Sequence, residues 1–224
     1  MCLQGKVIVV AGGSGALGRV VTPLLSQAGG RVFVIDRTSS APGQSDQRRL
    51  AADVADESDV NRVIQQVITS EGRLDVLINL VGGFASGHAT ETDLVVWHNM
   101  LTLNLTAAFV LSRAVIPHMA ARKAGRIIHI AAHAAVEPFP GAAAYIVSKA
   151  ALVSLIRVLA LELHDSGVTV NGILPITIDT PANRMNMPNA DPTKWAKPAS
   201  IGQTLVFLAS DRADQLNGAL IPIG

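Results

Sequence analysis

The chain has 224 residues, 49% apolar and 16% charged, with a formal net charge of +1. That is apolar enough for one well-buried domain, too hydrophobic for a disordered chain, and too neutral to favour nucleic acid or an anionic membrane as partner. A single cysteine, Cys2, excludes an internal disulfide and a thiolate metal cage. Residues 1–6 lack a signal-peptide pattern and no uninterrupted apolar run reaches ~18–20 residues, so a cytoplasmic protein without a membrane span is expected.

Val7 to Val10 is a β-branched run without polar alternation, the pattern of a parallel strand covered on both faces. It leads into Gly12-Gly13-Ser14-Gly15-Ala16-Leu17-Gly18 and then a helical period over residues 20–28. Strand, glycine turn and helix in that order suit a dinucleotide pyrophosphate at a helix N-terminus; the plainer alternative is a tight turn. A second strand over residues 31–35 ends at Asp36, whose carboxylate can accept from both adenosine ribose hydroxyls and would repel a 2′-phosphate. NAD(H) is therefore favoured, with NADP(H) as the alternative because Arg37 stands next door. Residues 38–47 read as a loop. A short strand at 50–52 precedes Asp53 and Val54, where the carboxylate either accepts from an adenine amino group or serves as a turn residue.

Further along, residues 57–71 carry a helical period, and a strand at 75–79 ends in Asn79, Leu80, Val81 and Gly82, a place where close cofactor approach is expected. Residues 84–90, beginning at Phe84, form a loop fit to line a substrate site. Residues 91–119 read as mostly helical with Pro117 as the stop, and Asn104 lies there on an apolar face where its amide needs partners. A strand at 125–130, a loop at 131–144, a helix at 145–164, a strand at 168–174, an irregular proline-containing stretch at 175–198, a helix at 201–210 and a strand at 218–222 complete the order. Alternation throughout predicts an α/β fold: a single Rossmann-type, doubly wound parallel sheet of about seven strands with helices on both faces, in one domain. No metal-ligand spacing is present among the six histidines.

Tyr145 and Lys149 sit one helical turn apart. A phenol ordinarily titrates near ~10, and an adjacent ammonium would move it toward the range useful for proton transfer. The bland alternative is a half-buried aromatic beside a solvated lysine. The helix they occupy is apolar on more than one face, which calls for a second copy, and a homodimer or homotetramer is expected.

Taken together, the glycine loop, Asp36, Asp53, Asn79 to Gly82, Asn104, Tyr145/Lys149 and residues 175–181 resemble the short-chain dehydrogenase/reductase family over essentially the whole chain. The resemblance implies hydride transfer with a nicotinamide dinucleotide, Tyr145 as proton donor, Lys149 on the nicotinamide ribose and Asn104 anchoring a relay water. It also implies cofactor contacts from Gly12, Ser14, Gly15, Ala16, Leu17, Gly18, Asp36, Arg37, Asp53, Val54, Asn79, Val81, Gly82, Pro175, Thr177, Ile178 and Thr180. The family's usual serine thirteen positions before the tyrosine is here Ala132. That change, the glycine-loop spacing and residues 174–195 are similar to the dihydropteridine-reductase-like branch, although Asn104 belongs to the wider family. A small-molecule acceptor with an electron-poor C=N or quinonoid group, or a C=O, is expected between Phe84, Ala132, His133 and Trp195. His133 either replaces the missing donor or is an exposed loop histidine. Loss of the serine also admits a dinucleotide-binding regulator with weakened turnover.

Overall fold

The computed structural model describes residues 2–37 and 48–224, so the loop expected at 38–47 lies outside the described residues. Among the described residues, seven strands form one sheet: β1 (Val7–Ala11), β2 (Arg31–Asp36), β3 (Arg48–Ala51), β4 (Val76–Asn79), β5 (Gly125–Ile130), β6 (Val168–Pro175) and β7 (Leu220–Ile223). Their order is β3-β2-β1-β4-β5-β6-β7 and every pair is parallel.

Alternate side chains of these apolar strands feed two separate cores. Val7, Val9, Leu77, Ile127 and Val170 face α2 (Glu57–Glu71), α4 (Ala107–Ala121) and α5 (Ala143–Glu162). Ile8, Val10, Val34, Ile78 and Ile128 face α1 (Gly18–Gln27) and α7 (Pro198–Ala209). Each fully buried Ile or Leu contributes roughly 1.5–3 kcal/mol, so covering both faces fixes the sheet between its two helical layers.

The long stretch before β5 is helical over residues 94–121, as its sequence reading expects, and differs in detail. It divides into α3 (Leu94–Leu101), a π-helical turn (Thr102–Thr106) and α4. Pro117 does not stop it; α4 continues to Ala121. Proline removes one backbone donor and crowds the carbonyl four residues back, which here belongs to Arg113. Both residues lie on the exposed side of α4, where water can serve that carbonyl. By length and composition alone, residues 94–121 and α5 are long and apolar enough to cross a membrane. Both instead lay one face on the sheet through Ala107, Leu111, Leu152 and Ile156.

Candidate functional site

Strand order reverses between β1 and β4, and open parallel sheets bind ligands in the crevice above such a reversal. Gly12 follows β1 with φ +81°, a conformation side-chain-bearing residues rarely adopt. A Cβ there would lie 3.1 Å from Val81 N, so the turns after β1 and β4 meet backbone to backbone. The chain then passes through Ser14 and the exposed Gly15 and Ala16 to Leu17 and Gly18. Helix α1 starts at Gly18 with no side-chain cap, whereas Asp56 and Asp93 cap α2 and α3. Arg19 N already donates to Gly15 O, and Val20 N and Val21 N to Leu17 O, each at 3.0 Å, so a pyrophosphate-sized anion would meet the turn at Ser14 to Gly18 and the positive end of the helix dipole.

At the adenosine end, the Asp36 carboxylate is already engaged: its Oδ2 accepts from Ser14 N at 3.0 Å and Ser14 Oγ at 2.6 Å. Arg49, from β3, donates to Ser14 Oγ at 2.6 Å and stands 3.9 Å from Asp36 Oδ2. The sequence reading missed this guanidinium and looked only at Arg37, which is exposed. Asp53 is a turn residue here, its Oδ1 accepting from Ala55 N at 3.0 Å, while Val54 beside it is buried.

Above β4 and β5 the geometry tightens. The Lys149 ammonium is buried and donates to the Ile130 carbonyl at 2.8 Å. Burial lowers its pKa to about 8. Burial also raises the Tyr145 phenol above its ordinary value, which corrects the expectation that Lys149 would lower it. The reason is geometric: the ammonium is aimed at Ile130, and desolvation of the phenol dominates. Phe84 meets the Tyr145 ring edge-on, with centroids 4.9 Å apart and planes at 66°.

Asn104 is fully buried in the π-helical turn, a kind of distortion often found at functional sites. Its Oδ1 accepts from Gly83 N at 3.0 Å, and its Nδ2 donates to Gly83 O at 3.1 Å and to Ser148 Oγ at 2.9 Å. Ser148 in turn donates to the Tyr145 carbonyl at 2.7 Å. The carboxamide thus bonds to the turn after β4 on one side and to α5 on the other. Ser148 is the link between Asn104 and the helix carrying Tyr145.

Two walls flank this point. Gly87 N donates to Gly141 O at 2.8 Å and Ala143 N to Gly87 O at 3.1 Å, tying the turn after β4 to the loop after β5. The segment after Pro175 is fastened likewise: Ala196 N donates to Thr177 O and Asp179 N to Ala196 O, both at 2.9 Å. Within it Ile178 O accepts from Asn183 Nδ2, and Thr180 caps the short helix α6 (Pro181–Asn186). Trp195 is buried, so its indole belongs to the wall's interior and presents little open face. Ala132 is buried in extended backbone, and the Nε2 of His133 beside it stands 3.7 Å from Glu137 Oε1.

A sequence model of the family described as short chain dehydrogenase matches residues 6–191. The chain belongs to that family. As a short-chain dehydrogenase it is an NAD(P)-dependent oxidoreductase. It is 26% identical to the 3-oxoacyl-(acyl-carrier-protein) reductase FabG of Thermotoga maritima over 100% of this chain and 98% of that one. It is 31% identical to D-threitol dehydrogenase of Mycolicibacterium smegmatis, covering 97% and 90%. The solved structure titled ElxO with NADP bound shares the fold with a TM-score of 0.92 at 23% identity, over 97% of this chain and 96% of that one. These relatives do not single out the dihydropteridine-reductase-like branch.

Proposed function

We propose that this short-chain dehydrogenase reduces a small C=O or an electron-poor C=N or quinonoid acceptor, preferring NADH, with Tyr145 as proton donor. The observation that carries the reading is the meeting of Tyr145, Lys149 and Asn104 beside the glycine turns at the sheet's reversal. The residues fit a dinucleotide: the uncapped α1 for the pyrophosphate, Asp36 for the adenosine ribose, and Gly82, Lys149, Thr177, Ile178 and Thr180 around the nicotinamide half. The bound dinucleotide supplies the hydride. The Tyr145 phenol, kept protonated by burial, gives its proton to the substrate heteroatom. Lys149 holds positive charge beside it, Asn104 and Ser148 hold the helix turn in place, and Phe84 and Ala132 offer an apolar floor.

The test is single-turnover oxidation of NADH against a panel of imines, quinonoids and ketones, with Ala132→Ser alongside. A ketone builds up alkoxide character, and one preorganised donor there is worth about 10²-fold or more, whereas an electron-poor acceptor gains less. The ratio of kcat/KM for ketone over imine should rise in Ala132→Ser. No NADH oxidation with any acceptor would overturn the reading; an unchanged ratio would remove Ala132 as a selector.

For the cofactor, unaltered protein should bind NADH more tightly than NADPH. Asp36→Ser should move the preference toward NADPH by about tenfold or more, since the guanidinium of Arg49 then faces a 2′-phosphate without the carboxylate. Tighter NADPH binding by the unaltered protein would refute this role for Asp36.

We also propose a cytoplasmic homodimer or homotetramer. Phe109, Ile116 and Leu159 line a shallow groove on the outer face of α4 and α5, edged by Arg113 and Glu162. Val158 and Leu161 stand exposed on α5 at 48% and 77%. A second copy packed two-fold on this face would cover them. Light scattering at micromolar concentration should give a mass of two chains or more, and a one-chain mass would refute it.

A further inference from the structure

His129, on β5, is wholly buried and lies across from Asn79 on β4. Its Nε2 is 3.0 Å from Ser112 Oγ on α4, and its Nδ1 is 3.4 Å from Asn79 Nδ2. Counting protons settles the tautomer. Ser112 has one hydroxyl proton and donates it to the Ala108 carbonyl at 2.7 Å. Its oxygen therefore accepts from His129 Nε2–H, which leaves Nδ1 to accept from Asn79 Nδ2–H. Asn79 Oδ1 is then turned to accept from Val81 N at 3.0 Å. Burial and the nearby Lys149 charge push the His129 pKa down to about 3, so the ring stays neutral and Nδ1 keeps its lone pair at ordinary pH.

A carboxamide is nearly symmetric in shape. Without a fixed acceptor at its Nδ2 end, Asn79 could turn over and face Val81 N–H donor to donor. Val81 is also the residue whose backbone N lies against Gly12, and Gly83, two residues on, is clamped by Asn104. The 81–83 turn is thus held at one end from Asn104 and at the other from His129 through Asn79.

We infer that His129 is a positioning residue: its Nδ1 sets the orientation of the Asn79 carboxamide and thereby holds the Val81 turn where a dinucleotide must lie. The inference rests on the dinucleotide reading above. It assigns to a core histidine a task that burial alone does not reveal.

Asparagine and glutamine at position 129 separate this task from packing. An Asn amide places an acceptor near the Nδ1 position, whereas a Gln amide reaches the Nε2 position and serves Ser112 instead. Both lose the same ring, and a role in packing alone predicts equal losses. NADH affinity by fluorescence titration should stay within about threefold in His129→Asn and weaken by about tenfold in His129→Gln and His129→Leu, the scale of one buried hydrogen bond. The value of kcat at saturating NADH should change less than the affinity does. Equal losses in the Asn and Gln variants, or no loss in the Gln and Leu variants, would overturn the inference. Should the variants not fold, ¹⁵N imidazole shifts of the unaltered protein decide: a neutral ring protonated on Nε2 is expected, and protonation on Nδ1 overturns it. An unaltered protein that does not bind NADH would overturn the dinucleotide reading itself, and this inference with it.

Discussion

Tyr145→Phe is expected to lower kcat by about 10²–10⁴-fold while the dissociation constant for NADH stays within a few-fold. The substitution keeps the ring, and with it the edge-on contact to Phe84 at 4.9 Å, and removes only the hydroxyl that donates the proton. The phenol's pKa lies above its usual value because it is buried, so at neutral pH Tyr145 carries the proton it must give. Lys149 behaves in the opposite sense. Burial lowers its pKa to about 8, so the ammonium charge is present below that pH and is lost as pH rises through it. In the protein before cofactor binds, dinucleotide affinity should therefore fall above about 8 in both the unaltered protein and the Phe variant. Stopped-flow single turnovers together with fluorescence titrations across pH check both statements. Turnover in Tyr145→Phe close to that of the unaltered protein would mean the proton comes from elsewhere, His133 on the loop after β5 or water being the candidates.

Gly82→Ala should reduce kcat/KM by about 100-fold or more in a protein that still folds, with Tm lower by several degrees. An added Cβ would lie 2.9 Å from Asn104 Oδ1 and 3.0 Å from Lys149 Nζ. Both side chains can swing, so the fold survives, but neither can swing without giving up its bonds: Asn104 those to Gly83, Lys149 that to Ile130. Displacing a positioned group by about 1 Å is enough to cost about 10²-fold in rate. The comparison to make is kcat/KM against Tm in the same preparation. An active Gly82→Ala enzyme would show that Lys149 and Asn104 need not stand where they do.

What the sequence made legible was local. The strand runs, the glycine loop, the helical period over residues 57–71 and the one-turn spacing of Tyr145 and Lys149 are each set within a few residues, and each reappears in the structure. Asp36 was expected as a ribose acceptor from its place at the end of β2, but its protein partners were not foreseen. Arg49 reaches Ser14 only because β3 pairs with β2 in the register Val34↔Arg49, a choice no local pattern encodes. Ser148 and Asn104 are 44 positions apart, and His129 and Asn79 are 50 apart. For Asn104 the signal was a polar residue on an apolar face, which says that a partner exists without saying which. The Tyr145 pKa was misjudged for a related reason: spacing gives the distance along a helix, but the direction of the ammonium depends on Ile130, a strand away. Pro117 was read as a stop because its exposure on α4 was not visible from sequence.

The two fastenings at Gly87–Gly141 and Thr177–Ala196 are made wholly of main-chain atoms. Their hydrogen bonds do not depend on which side chains line the walls. Residues such as Phe84, Val136, Phe139 and Met185, all substantially exposed, can therefore be exchanged without changing the span between the walls. Such a scaffold lets acceptor choice drift under selection while the proton-delivery apparatus stays still. Libraries that vary these four positions should thus yield altered preference far more often than unfolded protein.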